Sequence, residues 1–203
     1  MTMCKRVIYS LLLLAVFGAA QAVAADADWI KAVYWDADYP SGWAGGGEAM
    51  RDALADAGYE VLDADQLKAW MDARIADKDL SVVVFAKVIA PETVVESQSE
   101  SATLRKYLNA GGKIVWYSDI PLYYQGHPDG TSTTWGDAGA PAILGFDAAG
   151  APRDTGATVT ITPAGETWGL TETWGSTRPA TPSGLTVLAT DDGGNAAAWV
   201  KHY

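Results

Sequence analysis

The sequence predicts an α/β fold: a parallel sheet with helices on both faces, followed by an antiparallel extension. Three observations predict it. Leu80 to Ala86 (LSVVVFA) is a nearly continuous apolar run, as expected of a central parallel strand covered on both faces. Strand-like and helix-like segments alternate through the first two thirds of the chain, the pattern of βαβ units. Leu104 to Tyr117 reads as a helix end, a Gly-Gly stop and a buried strand.

The N-terminus lies outside that fold. Lys5 and Arg6 precede the apolar run Val7 to Phe17, and Ala22-Val23-Ala24 follows as an A-x-A cleavage site. Residues 1–24 therefore read as a secretory signal peptide, with Ala20-Gln21-Ala22 as a second cleavage point. The run is shorter than the roughly 20 apolar residues of a membrane span. Cleavage removes Cys4, the single cysteine of the chain, and with it any thiol nucleophile, disulfide or cysteine metal ligand. It also removes two cations from a protein whose net charge is already −11, which disfavours nucleic acid and anionic lipid as partners. The expected product is a secreted or periplasmic protein with no membrane span after signal removal.

Residues 28–203 are expected to form one domain. Ile30 to Trp35 is the first strand, and a loop from Asp36 to Gly46 follows it. Ala49, Met50, Ala53, Leu54 and Ala57 lie on one helical face, and Gly58 stops that helix. Tyr59 to Leu62 is a short second strand. Asp63 or Asp65 caps a second helix with the stripe Leu67, Trp70, Met71 and Ile75. Pro91 to Ser101 reads as a polar connection. The helix Ala102 to Ala110 then leads through Gly111-Gly112 into the strand Lys113 to Tyr117.

Beyond that point the pattern changes. A helix is expected from Trp135 to Leu144, weakened by Gly139 and Pro141, and Thr158 to Thr162 alternates like a half-exposed strand. Glu166 to Leu170 suits one helical turn. Leu185 to Ala189 and Ala196 to Val200 read as a hairpin around the five-residue turn Asp191 to Asn195. The chain stops at Tyr203 on a strand-like run, so a further strand, and further domains of a longer chain, are expected beyond it.

The strand VVVFA, the stretch LRKYLNAGGKIVWYS and the late WGSTRP with LATDDGGNAAAWVKHY resemble the class I glutamine amidotransferase-like superfamily, nearest to trehalose-utilisation-type members that are not amidotransferases. The resemblance covers residues 29–203 and implies a flavodoxin-like sheet. Catalytic members of that superfamily use a cysteine on a sharp strand-to-helix turn. This chain has neither that cysteine after cleavage nor a G-x-C-x-G or G-x-S-x-G elbow, so amidotransfer is not expected.

In such a sheet the ligand site lies beyond the carboxyl ends of the strands, where strand order reverses. The loops there are Asp36 to Gly46, Lys87 to Val95 and Ser118 to Trp135. Ser118, Asp119 and His127 are the candidate catalytic residues, as a hydroxyl nucleophile, an acid and a base. The competing reading is a turn beside an exposed histidine. Asp36 and Asp38 have oxygen donors for Mg²⁺ or Ca²⁺, but a solvated acidic loop is the simpler account, and no metal or cofactor is implied. Gly45-Gly46-Gly47 lacks the Lys-Ser/Thr of a phosphate loop and reads as a flexible helix entry.

Trp70 and Trp116 fit the core. Tyr39, Trp43, Tyr123, Tyr124, Trp135 and Trp174 fall in loops, beside Asp36, Asp38, Lys87, Gln125 and Arg178. Flat rings next to polar side chains suit a carbohydrate or another small polar ligand, though such rings also anchor long loops to a core. The expectation is an exported, non-catalytic domain that binds a carbohydrate-type ligand or serves a larger protein. The alternative is a serine- or carboxylate-dependent hydrolase of a carbohydrate-type substrate.

Overall fold

The computed structural model describes residues 29–203 apart from 43, 44, 118 and 154. The signal segment with Cys4, and the site candidates Trp43 and Ser118, lie outside the described residues. The chain divides into a larger compact unit over 28–148, which also includes Tyr203, and a smaller one over 149–202.

The larger unit is built on a four-stranded parallel sheet. β1 (Ile30–Tyr34) leads through α1 (Gly47–Asp56) to β2 (Glu60–Leu62), and α2 (Ala64–Asp77) leads to β3 (Ser81–Phe85). A two-residue strand, β4 (Ala90–Pro91), then precedes α3 (Thr103–Asn109) and β5 (Lys113–Val115). The sheet order is β2-β1-β3-β5, all parallel, which is the flavodoxin-type order with its reversal between β1 and β3. Right-handed crossovers through that reversal put α1 on one face and α2 with α3 on the other. The contacts of α2 with α3 agree, including the Trp70 and Tyr107 rings 5.7 Å apart. Every residue of β3 is buried, as its unbroken apolar run requires.

Local chemistry explains the element boundaries. Asp63 forms a reciprocal capping box at the start of α2: its carboxylate accepts from the Gln66 amide at 2.8 Å, and the Gln66 side chain accepts from the Asp63 amide at 3.0 Å. Gly47 starts α1 so close to β3 that a Cβ would lie 2.2 Å from the Ala86 carbonyl oxygen. Gly47 thus serves close packing at the helix entry, and Gly46 before it takes a left-handed φ of 90°, two requirements that the flexible entry expected from sequence did not specify.

The Gly-Gly stop after α3 has the same character. A Cβ on Gly112 would lie 2.2 Å from the Tyr107 ring. That ring is fully buried, and its hydroxyl ties the helix to two strands. It donates to Ser81 Oγ at 3.1 Å or to the Lys113 carbonyl at 3.2 Å, and accepts from the Lys113 amide at 3.2 Å.

The segment read as a polar connection after β3 is different in the structure. β4 pairs in parallel with β6 (Tyr124–Gly126), and β6 pairs antiparallel with β7 (Ser132–Thr134), giving a second, three-stranded sheet. Val94 and Val95 are fully buried beside it. The helix expected over Trp135 to Leu144 is a 3-10 turn (Gly136–Ala138) followed by α4 (Gly139–Leu144). Gly139 is required there, because a Cβ would lie 1.9 Å from the Leu122 carbonyl oxygen. Trp116 is half-buried and stacks at 5.2 Å on Phe85, while Trp70 is buried as expected.

The smaller unit is an antiparallel sheet of order β10-β9-β8 with one short helix. Its elements are β8 (Thr160–Ile161), α5 (Pro163–Thr167), β9 (Thr186–Thr190) and β10 (Ala196–Val200). Thr162 caps α5 by accepting from the Gly165 amide at 3.1 Å, and Pro163 takes the first helical position. The Asp191 carboxylate organises the hairpin turn, accepting from the Gly193 and Asn195 amides at 3.0 and 2.8 Å.

Two outcomes follow. Gly112→Ala forces a methyl into the Tyr107 ring, and should lower unfolding stability by about 1–3 kcal/mol in a denaturant titration. Burial pushes the Tyr59 and Tyr107 phenols up to about 12 from 10.0. The folded state therefore holds these protons to higher pH than the unfolded state does. Their stabilisation is complete below the unfolded value and is lost as pH rises from there through about 12. Stability measured between those limits should fall steadily, with tyrosinate absorbance appearing on unfolding.

Candidate functional site

A cleft of about 380 Å³ opens in the larger unit, lined by Asp36, Asp38, Tyr39, Asp63, Ala64, Asp65, Glu92, Thr93 and Pro128. It lies past the carboxyl ends of β1 and β2, with further walls from the segments that follow β4 and β6. Five carboxylates line it, and among the described residues no Lys or Arg does.

The wall is held by hydrogen bonds that start at Asp36. One of its oxygens accepts from the Asp38 amide at 3.0 Å, which turns the loop after β1. The other accepts from the Ala64 amide at 3.0 Å, an otherwise unpaired donor in the first turn of α2. Thr93 donates to the Ala64 carbonyl at 2.8 Å and draws in the segment after β4. Three strand ends thus meet on the first residue of α2.

Tyr39 forms an aromatic side of the cleft and is only 6% exposed. Burial, joined by the charges of Glu92, Asp36 and Asp65, pushes its phenol up to about 12. The Tyr39 carbonyl accepts from the Lys87 ammonium, which also lies 5.2 Å from the Trp35 ring centre. Lys87 is itself buried. Burial pushes its ammonium down, and the charges of Asp36, Asp38 and Glu48 oppose that shift. Its role is therefore to support the loop that carries Tyr39, and it is not among the lining residues.

The remaining sequence candidates fall in several places. Asp119 is buried, and its carboxylate accepts from the Ile120 amide at 2.7 Å. His127 has both ring nitrogens engaged elsewhere: Nδ1 lies 2.5 Å from Glu92 Oε2, and Nε2 lies 2.8 Å from Thr133 Oγ1. The acid that orients this imidazole is thus Glu92, and the described hydroxyl beside it is Thr133. The Tyr123 and Tyr124 rings pack edge to face at 4.8 Å, and Gln125 donates to the Val95 carbonyl at 2.7 Å. Trp135 pairs through its backbone with Tyr123. None of these four lines the cleft. Trp174 and Arg178 belong to the smaller unit. Of the aromatic candidates among the described residues, the cleft includes Tyr39 alone.

Sequence reasoning missed Asp63 and Asp65 as cleft residues, because each suited a helix cap, and did not single out Glu92 and Thr93 within the loop Lys87 to Val95 that it set at the border of the site. One signal was present: Asp63-x-Asp65 repeats the Asp36-x-Asp38 spacing after the next strand. Among the described residues no group of His, Cys, Asp or Glu is arranged to hold a metal ion, and no helix is long and apolar enough to cross a membrane. The arrangement can accept hydrogen bonds from hydroxyl or ammonium groups, and it repels anions.

Comparison with known proteins gives a consistent but narrow result. No solved structure matches the chain. An uncharacterised protein of Methanocaldococcus jannaschii, MJECL34, is 34% identical over 97 residues, which is 45% of this chain and 33% of that relative. The match thus spans about a third of the relative's length. The model of the MJECL34 family matches residues 30–203, the whole of both units beyond the first strand's start, and the chain belongs to the MJECL34 family.

Proposed function

We propose that this protein is an exported, amidotransferase-like binding domain without amidotransferase activity, whose cleft takes a small hydroxyl-rich ligand of carbohydrate type. The observation that carries the reading is the cleft wall itself. Asp36, Asp38, Asp63, Asp65 and Glu92 supply acceptors, with Tyr39 as an aromatic residue of the lining. Carboxylates accept strong hydrogen bonds from sugar hydroxyls. The absence of Lys and Arg from the lining disfavours phosphorylated and acidic sugars. The strand order supports the superfamily resemblance. Lys5, Arg6 and the apolar run after them support export, and the loss of Cys4 on cleavage removes the thiol that amidotransfer needs. The domain would serve as the binding or accessory part of a larger protein.

A second reading, hydrolysis of a carbohydrate-type substrate, is favoured by one observation: the His127 imidazole is oriented by Glu92, itself a residue of the cleft wall.

The binding reading predicts that neutral saccharides quench the intrinsic tryptophan fluorescence of the folded protein saturably, and that sugar phosphates do not. Asp38→Asn and Asp65→Asn each remove a charged acceptor. A hydrogen bond to a charged group contributes about 1.5–3 kcal/mol, so each change should weaken binding by roughly 10- to 100-fold. A folded protein that binds no neutral saccharide at millimolar concentration would overturn the reading.

A further inference from the structure

The three-stranded sheet formed by β4, β6 and β7 brings three reactive side chains onto one face. β6 pairs Gln125 with Thr133 and Gly126 with Ser132, and β4 pairs Pro91 with Gly126. One residue further on, Glu92 donates its amide to Gly126 and His127 donates its amide to Thr131, at 3.0 and 2.9 Å. Side chains two apart on a strand share a face. Glu92, His127 and Thr133 are therefore in line, one from each strand or its immediate extension.

The distances make that line continuous. Glu92 Oε2 lies 2.5 Å from His127 Nδ1, and His127 Nε2 lies 2.8 Å from Thr133 Oγ1. An ionised carboxylate can only accept, so it selects the neutral tautomer that carries its proton on Nδ1. That leaves the Nε2 lone pair to accept the Thr133 hydroxyl proton. A hydroxyl, a base and an acid that orients the base are the geometric signature of an activated nucleophile. We infer that Thr133 is a nucleophilic hydroxyl activated by His127 and Glu92, and that it accepts acyl groups from neutral or cationic esters.

The chemistry balances without a further reactant except water. As Thr133 Oγ1 attacks the ester carbonyl carbon, its proton passes to His127 Nε2. Collapse of the tetrahedral intermediate breaks the bond to the alcohol oxygen, which takes that proton and leaves as the alcohol. Water then attacks the acyl-threonine, giving one proton to Nε2. Thr133 leaves with that proton, and the carboxylic acid is released.

Charge sets the substrate class. Asp129 stands in electrostatic range of His127, and its carboxyl is held below the ordinary carboxylate range, first by the Thr131 hydroxyl and then by the Thr131 amide. With Glu92 on Nδ1 this places two carboxylates around the imidazole, which disfavours anionic acyl donors. Glu92 and Pro128 also line the acidic cleft, so the alcohol part of an ester bound there would lie beside the relay. The reactivity of Thr133 does not depend on that binding.

The test uses the full-length protein and p-nitrophenyl acetate, a small neutral ester that needs no cleft. The expected result is release of p-nitrophenol with acetylation of Thr133, located by peptide mass spectrometry after acid quenching. Thr133→Ser should keep the reaction. Thr133→Val and His127→Ala should each slow it by about 100-fold or more, the usual contribution of a general base. Glu92→Gln should slow it and alter its pH profile. Thr134→Val, one residue along and on the opposite face, should leave it unchanged. Circular dichroism of each variant separates lost reactivity from lost folding. Absence of the acetyl group from Thr133, or an undiminished labelling rate in a folded His127→Ala protein, would overturn the inference. Saccharide binding measured on the Thr133→Val protein, which leaves every lining residue in place, reports on the cleft independently.

Discussion

The Asp36 carboxylate joins parts of the larger unit that would otherwise be separate loops. One oxygen fixes the turn after β1, and the other reaches the first turn of α2. An anion at that place is favoured by the unpaired amides and by the helix dipole. The contact also closes the gap between the ends of β1 and β2, neighbours in the sheet whose connections run out through α1 and α2. With Thr93 bonded to the same Ala64 backbone, the cleft is shaped before any ligand arrives. A preformed wall lowers the ordering cost of binding.

That arrangement concentrates negative charge. Five carboxylates around one cleft repel each other, and the protein balances them partly from behind. The buried Lys87 ammonium lies in range of Asp36, Asp38 and Glu48 while bonding the Tyr39 carbonyl. The Tyr39 phenol is neutral at ordinary pH, and burial with the neighbouring carboxylates pushes it further up, to about 12. On the far wall His127 bonds to Glu92. Lys87 thus does two things: it holds the loop that carries Tyr39 and it offsets the charge of the carboxylates nearby.

The parallel sheet was legible because its signals were long or chemically distinct. LSVVVFA read as a covered central strand and its Ser81–Phe85 part is one, while Gly111-Gly112 marked the passage from α3 to β5. The loops after the first and third strands were identified as site borders from strand order alone, and Asp36, Asp38 and Tyr39 do line the cleft. The three-stranded sheet was not legible. β4 has two residues, too few to show alternation, and Ser132 to Thr134 is exposed and polar throughout, so no apolar period marks it. Glu92 and Thr133 acquire meaning only from pairings across many residues, which no local pattern reports. Sequence also spread the aromatic candidates over one site, whereas Tyr123 and Tyr124 pack on each other and Trp174 belongs to the smaller unit.

The account rests on the cleft being a place where hydroxyl-rich molecules bind. Backbone amide NMR with a neutral saccharide added tests this directly. The account predicts saturable shifts concentrated on Asp38, Ala64, Asp65 and Thr93, whose backbone carries the wall. Shifts confined to the smaller unit, or none at saturating saccharide in a folded sample, would contradict it.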